Sequence, residues 1–231
     1  MSRNPEKNAQ VRESRKKQIL DATLSVYIRS GYHGTDMDIV AKEAGLAKGL
    51  VYYYYKTKHE LFTELFMQMF KDGFIFSETL INNLDGLNPI EQLMVYSYGM
   101  FMENRENPRM MQFFIRAPFD AYAIFTAENR KEVADKSDMH RSALTDIIQK
   151  GIAEGFIPET NPSMAANSFW SVFVANVFVY SRLIDGTHES AKSSKESFKE
   201  VVCFCFQGLG IERDVWNACL DKVFADTKAG G

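Results

Sequence analysis

Apolar residues recur along this chain at spacings of three and four between short polar or glycine-bearing breaks, the pattern of amphipathic helices, and no stretch sustains the two-residue alternation of a half-buried strand. The chain therefore reads as all-helical. Ile19, Ala22, Thr23, Val26 and Tyr27 form the inner stripe of a first helix from about Val11 to Ser30, stopped by Gly31, with Arg12, Arg15, Lys16 and Lys17 ahead of the stripe. The residues before Val11, Arg3 and Lys7 among them, read as a disordered tail, entry into a minor groove being the alternative. Thr35 or Asp36 caps a second helix whose Met37, Val40, Ala41 and Ala44 face inward before Gly45 ends it. A third, short helix comes next, from Lys48 to Tyr55, with Leu46, Val51 and Tyr55 inward and Lys48, Gly49, Leu50, Tyr53 and Tyr54 free to face out.

Beyond Lys58 the helices lengthen. The breaks predict one from about Lys58 to Leu84, one from Pro89 to about Asn104, a shorter one from Asn107-Pro108 to about Ile115 with Pro118 disturbing the segment after it, and one from about Phe125 to Gly155. Ser163 to Ile184 and Ser190 to Leu209 make two more, separated by a polar turn at Asp185, Gly186, Thr187 and His188, and an amphipathic piece runs from Arg213 to Ala225. At 231 residues, 45% hydrophobic and 25% charged, the composition is that of a globular protein large enough to bury a core without staples. Cys203, Cys205 and Cys219 read as core thiols, and with no apolar leader at the start the chain is expected in a reducing cytoplasm. The most apolar stretch, Met164 to Tyr180, is interrupted by Asn167, Ser168, Ser171 and Asn176, so no membrane span is expected.

Charge divides the chain unevenly. Residues through Lys58 carry a net +5 and the remainder −8, the signature of a small polyanion-binding head on a body with another task. Two short helices joined by a glycine turn after a longer helix are the sequence form of a helix-turn-helix. Gly45 supplies the backbone freedom of the turn, and Ala41 and Ala44 permit close contact between the helices. Lys48 then stands at the start of a recognition helix, where a side chain reaches deepest into a major groove, and Gly49 lets backbone come close. Tyr52, Tyr53, Tyr54 and Tyr55 cannot all point inward at roughly 100° per residue, so at least two phenols face out and can donate to phosphate. Lys58, at the entrance of the next helix, favours a phosphate through its own charge and the free N–H groups beside it.

The segment GYHGTDMDIVAKEAGLAKGLVYYYYKTKHEL resembles the DNA-binding head of the TetR family of transcriptional regulators, and the upstream ILDATLSVYIRSGY is similar to that family's first helix. The match spans about residues 12 to 65; the rest agrees in length and helical organisation. The resemblance implies an N-terminal three-helix helix-turn-helix head over residues 1–57 on a larger helical effector-binding and dimerisation body over 58–231. It implies DNA contacts from Lys48, Gly49, Leu50, Tyr53 and Tyr54, with Tyr52 and Lys58 on phosphates, and a homodimer on a palindromic double-stranded operator. Three departures are visible. Ala47 stands where a capping Ser is usual, a loss of about 1 kcal/mol. Leu50 replaces a small polar residue, which favours a thymine methyl over a hydrogen bond. Asp38 occupies a position that is often basic, and is read as capping its own helix, since an acid there otherwise repels phosphate.

The body is dense in Met and Phe, soft and aromatic side chains that suit an adaptable apolar cavity as well as a core. With the resemblance added, a cavity for a small, largely apolar effector is expected among Phe70, Phe74, Phe101, Met102, Phe113, Phe114, Tyr122 and Phe173, with Arg116, Glu103 and Arg105 as candidate polar anchors. Ser168 to Tyr180 is apolar nearly all round, so more than its own chain is needed to cover it. Phe169, Trp170, Phe173 and Val177, paired with Phe198, Val202 and Cys205 of the next helix, are the expected dimer seam, burial inside a single chain being the alternative. Catalysis has no support: there is no phosphate-cradling glycine loop, no HExxH and no nucleophile elbow, and His33, His59, His140 and His188 are isolated. Cys203 and Cys205 point about 200° apart on a helix and make no metal site, and no cofactor is expected. The competing reading is a helical lipid-binding or adaptor protein whose basic head serves solubility alone.

Overall fold

The computed structural model describes residues 5–184 and 194–229. Among these the regular structure is entirely helical: α1 (Pro5–Ser30), α2 (Met37–Glu43), α3 (Lys48–Tyr54), α4 (Lys58–Asn82), α5 (Pro89–Glu106), α6 (Pro108–Ile124), α7 (Ala127–Ala153), α8 (Pro162–Ile184), α9 (Ser194–Gly208) and α10 (Arg213–Ala229). The chain separates into two compact units. One holds the chain up to Asp72 together with Arg109–Val133; the other holds Gly73–Pro108 and the chain from Ala134 onward.

In the first unit, α1, α2 and α3 close on Ile19, Ala22, Met37, Val40, Ala41, Ala44, Val51, Tyr55 and Leu61, with Leu46 and Tyr54 packed half-buried against them. These are the inward positions that the helical period requires. The turn between α2 and α3 is made by Gly45, whose φ of 65° lies in the left-handed region that glycine enters without a Cβ penalty. Leu46 N–H donates to the Ala41 carbonyl and Gly45 N–H to that of Lys42, so the turn satisfies the end of α2 while aiming α3. A second cluster surrounds Tyr27, whose ring meets Phe62 and Phe66 edge-on, while Phe66 meets Phe113 at 4.8 Å.

Helix boundaries depart from expectation in three places. α1 begins at Pro5 rather than Val11, so Lys7 lies on the helix and not in a disordered tail, while Arg3 lies outside the described residues. α6 passes through Pro118 and continues to Ile124 instead of stopping near Ile115. Proline removes one backbone donor, but Phe113, Ala117 and Ile124 are buried on one face of α6, and that burial holds the helix together across the gap. The helix expected from Phe125 starts at Ala127, because Thr126 and Asn129 cap one another: Thr126 N–H donates to Asn129 Oδ1 and Asn129 N–H to Thr126 Oγ1. The turn expected at Asp185–His188 lies outside the described residues.

The second unit is organised by α8, which packs on α9 and α5, and by α10, which packs on α5 and α9. Asn88 and Glu91 form a reciprocal capping box at the start of α5, with Pro89 in its first turn. Phe169, Phe173, Val177, Phe198, Val202 and Cys205, expected at a seam between copies, are each 3% exposed or less, and Trp170 is half-buried. Their cover comes from within the chain, so they are core. Burial pushes the Cys205 thiol up to about 12, as fits a core position. The face of α8 left outside is made of Met164, Ser168, Ser171, Ala175 and Val179, and α9 adds the exposed ring of Phe204. No helix among the described residues is long and apolar enough to cross a membrane.

Candidate nucleic-acid interface

The outer surface of α2 and α3 is built by positions that the core of the first unit does not use. Val51 and Tyr55 are fully buried, which turns Lys48, Gly49, Tyr52 and Tyr53 outward, with Leu50 at the edge of the same face. Tyr53 is 68% exposed. Tyr54 is only half-buried; its ring packs against the core of α1–α3 and meets Tyr53 at right angles, 5.3 Å between centroids. A Cβ built on Gly49 would meet nothing within 4 Å, so the backbone there is open to close approach.

The helix ends are held by different means. Asp36 caps α2, its Oδ1 accepting from Asp38 N–H at 2.9 Å and Ile39 N–H at 3.0 Å, while Thr35 Oγ1 donates to the Gly31 carbonyl. Asp38 does not cap its own helix, contrary to expectation, because Asp36 already occupies both donors. The Asp38 carboxylate instead accepts from Lys48 Nζ at 2.7 Å. That bond holds the Lys48 ammonium above its ordinary lysine value. Ala47 gives α3 no side-chain cap, as the sequence predicts. At the other end Lys56, which sequence reasoning missed, donates from Nζ to the carbonyls of Tyr52 and Tyr53, and its own N–H donates to Glu60 Oε2. Its signal was available, since a cation just past a helix C-terminus complements the free carbonyls there.

Lys58, at the first position of α4, is half-buried with its Nζ 4.4 Å from the centroid of the Tyr32 ring. Burial lowers its pKa from the ordinary lysine value, against the opposing pull of Asp36 and Asp120. Of the basic cluster on α1, Lys16 is bound to both oxygens of Glu64 at 2.9 Å and Arg15 donates to Gln18, while Arg12 and Lys17 are exposed.

The eight aromatic and Met positions expected to line an effector cavity divide between the two units. Phe70, Phe113 and Phe114 share an aromatic cluster in the first unit, with centroids 5.4 to 5.8 Å apart. Tyr122 belongs to the same unit but is 80% exposed, under the Arg130 guanidinium. Phe74, Phe101, Met102 and Phe173 belong to the second unit, Phe101 against Phe198 at 5.3 Å and Phe173 stacked on Phe169 at 6.4 Å. Arg116, a candidate polar anchor, lies against α1. It donates to the Ile28 carbonyl at 3.4 Å and lies 3.7 Å from Asp120, whose carboxylate accepts from Tyr27 Oη. In the second unit a groove of about 460 Å³ runs between α8 and α9, lined by Pro158, Met164, Ser168, Val172, Phe204 and Gly208 among others.

Comparison with known proteins agrees with this geometry. The sequence profile of the bacterial regulatory proteins of the tetR family matches residues 19–65, the stretch that forms α2, α3 and their flanks. An uncharacterized HTH-type transcriptional regulator of Bacillus subtilis (strain 168), YhgD, is 29% identical over 178 residues, 71% of this chain and 83% of that protein. The fold is that of AibR, solved in complex with isovaleryl coenzyme A and operator DNA, with a TM-score of 0.66 at 16% identity over 86% of this chain and all of the other. It is also that of the regulator FadR from Bacillus subtilis in complex with stearoyl-CoA, with a TM-score of 0.57 at 19% identity over 84% of this chain and 95% of that one.

Proposed function

We propose that the chain, whose residues 19–65 match the profile of the tetR family of bacterial regulatory proteins, is a homodimeric repressor of that family that leaves its operator when an effector with an apolar acyl chain binds the body. The observation that carries this reading is the outward face of α3. Lys48, Gly49 and Tyr53 are exposed on one side of a short helix whose other side, Val51 with the following Tyr55, anchors it. Lys48, Gly49, Leu50, Tyr53 and Tyr54 enter the major groove, and Tyr52 and Lys58 contact phosphates. Lys58 suits a phosphate because its ammonium is partly desolvated already and stands at the first turn of a long helix.

The dimer forms through the face of α8 and α9 that the protomer leaves open, Met164, Ser168, Ala175, Val179 and Phe204, where small residues allow helices of two copies to approach. It sets two α3 helices one turn of DNA apart or somewhat more, on a palindromic site. The acyl chain as effector is suggested by the coenzyme A thioesters bound to AibR and FadR, and by the wealth of Phe and Met in this body. Binding of effector favours a conformation unfit for DNA; about 1.4 kcal/mol of differential binding shifts that equilibrium tenfold.

The test is a gel shift of the protein's own upstream region at several salt concentrations. Wild type is expected to shift it with affinity falling steeply as salt rises, and Lys58→Ala to lower the salt slope by about one for every sequence tried. Acyl-CoA of medium to long chain is expected to release the fragment. A protein that shifts no fragment, or shifts all equally, is the adaptor or lipid carrier that the sequence also allows.

A further inference from the structure

Asp38 and Lys48 meet on the exposed face of α2 and α3 in a way that a phosphate-binding lysine does not require. The Asp38 carboxylate has no duty on its own helix, because Asp36 takes both free N–H groups there. It accepts from Lys48 Nζ at 2.7 Å, and the two side chains are 58% and 60% exposed. The Lys48 ammonium also lies 5.6 Å from the Tyr52 ring, so it is held from two sides. We propose that Asp38 and Lys48 together read one G·C base pair in each half-site, Lys48 donating to guanine and Asp38 accepting from the amino group of the paired cytosine. This inference rests on the reading of the chain as a DNA-binding regulator.

Two arguments carry it. The first is electrostatic. A lone lysine attracts every phosphate alike, but a carboxylate 2.7 Å away largely cancels its charge at distances well beyond that separation. The pair therefore adds little to sequence-blind attraction, and an acid near phosphates is repelled unless a donor meets it. What survives is the local order of one donor beside one acceptor. The second argument is chemical. Across the major-groove edge of G·C run the acceptors N7 and O6 of guanine and then the amino donor of cytosine, and a neighbouring ammonium and carboxylate answer all three. On A·T the same pair meets N7 and the adenine amino group, but places the carboxylate next to the O4 acceptor of thymine. Because an exposed ion pair is weak, its partners are released to the bases at little cost.

The experiment uses the full-length protein, its footprinted operator and duplexes in which each base pair of both half-sites is replaced in turn. Wild type is expected to lose affinity about tenfold or more when one G·C pair in each half-site is changed. Asp38→Asn, which keeps shape and removes charge, is expected to flatten the preference at that same pair to within about threefold. It is also expected to steepen the salt slope by about one, as Lys48 becomes an unpaired cation. Lys48→Gln should flatten preference at the same pair, and circular dichroism should show both variants fully helical, since both side chains are exposed. If wild type binds its operator but Asp38→Asn leaves base profile and slope unchanged, or if the pair affected is A·T, this inference falls while the regulator stands. A folded wild type that shifts no DNA at all overturns both.

Discussion

The α1–α3 head and the α8–α9 pair solve opposite problems with helices. In the head every inward position has a partner within a few dozen residues, and the outward side of α3 shows Lys48, Gly49, Tyr52 and Tyr53, with Val11 of α1 and Ile39 of α2 the head's exposed aliphatic side chains. In α8 and α9 the inward side is closed by aromatic packing, yet the outward side keeps Met164, Val179 and Phe204 in the open. A surface that meets phosphate needs no apolar cover, whereas one that meets another helix must show it. The difference teaches that exposure alone does not mark function; the kind of side chain exposed does.

The sharpest way to break this comparison is to cut both sides of α8 and α9. Phe173→Ala, inside, is expected to cost about 3–5 kcal/mol in urea unfolding. Phe204→Asp, outside, is expected to keep the helical circular dichroism signal while halving the mass in sedimentation. An unchanged mass would remove Phe204 from the seam, and loss of helix would place it in the core. A smaller effect sharpens the other half: Asp36→Ala is expected to lower stability by about 1 kcal/mol and to speed amide exchange at Asp38 and Ile39, whose donors it frees. The smallest concerns acid. The bond from Lys222 to Glu91, at 2.6 Å, holds that carboxyl below the ordinary range despite opposing desolvation. A lowered folded pKa gives stability that is present above the unfolded carboxylate value and is lost as pH falls through the folded one. Lys222 is about half exposed, so only tenths of a kcal/mol are at stake. Lys222→Met should lower the melting point slightly at neutral pH and leave it unchanged in acid below the folded carboxyl value, so that this part of the acid dependence disappears.

Much of this is legible in the amino-acid order. The turn at Gly45, the inward Val51 and Tyr55 and the missing cap at Ala47 obey local rules, because the partners of those residues lie nearby in the chain. α8 is not legible in the same way. A helix apolar all round has no stripe to say which side its own chain will take, and here the aromatic side went in and the side with serine and alanine stayed out. Asp38 is misread from sequence because two acids, Asp36 and Asp38, stand at one helix start, and only coordinates show which of them reaches the donors. The contact of Arg116 with α1 is hidden from sequence for a related reason: its partner, Ile28, lies 88 positions away.

Gly31 carries one further implication. It ends α1 with a φ of 71°, and a Cβ placed on it would run into the Arg116 guanidinium. Two independent constraints thus fall on a single atom's worth of space, and they can be unpicked separately. Alanine at position 31 should be tolerated better when Arg116 is shortened, yet never fully, since the backbone twist persists. Homologous lineages that abandon glycine at this point should have abandoned the long cation opposite as well, so the two positions are expected to change in concert over evolutionary time.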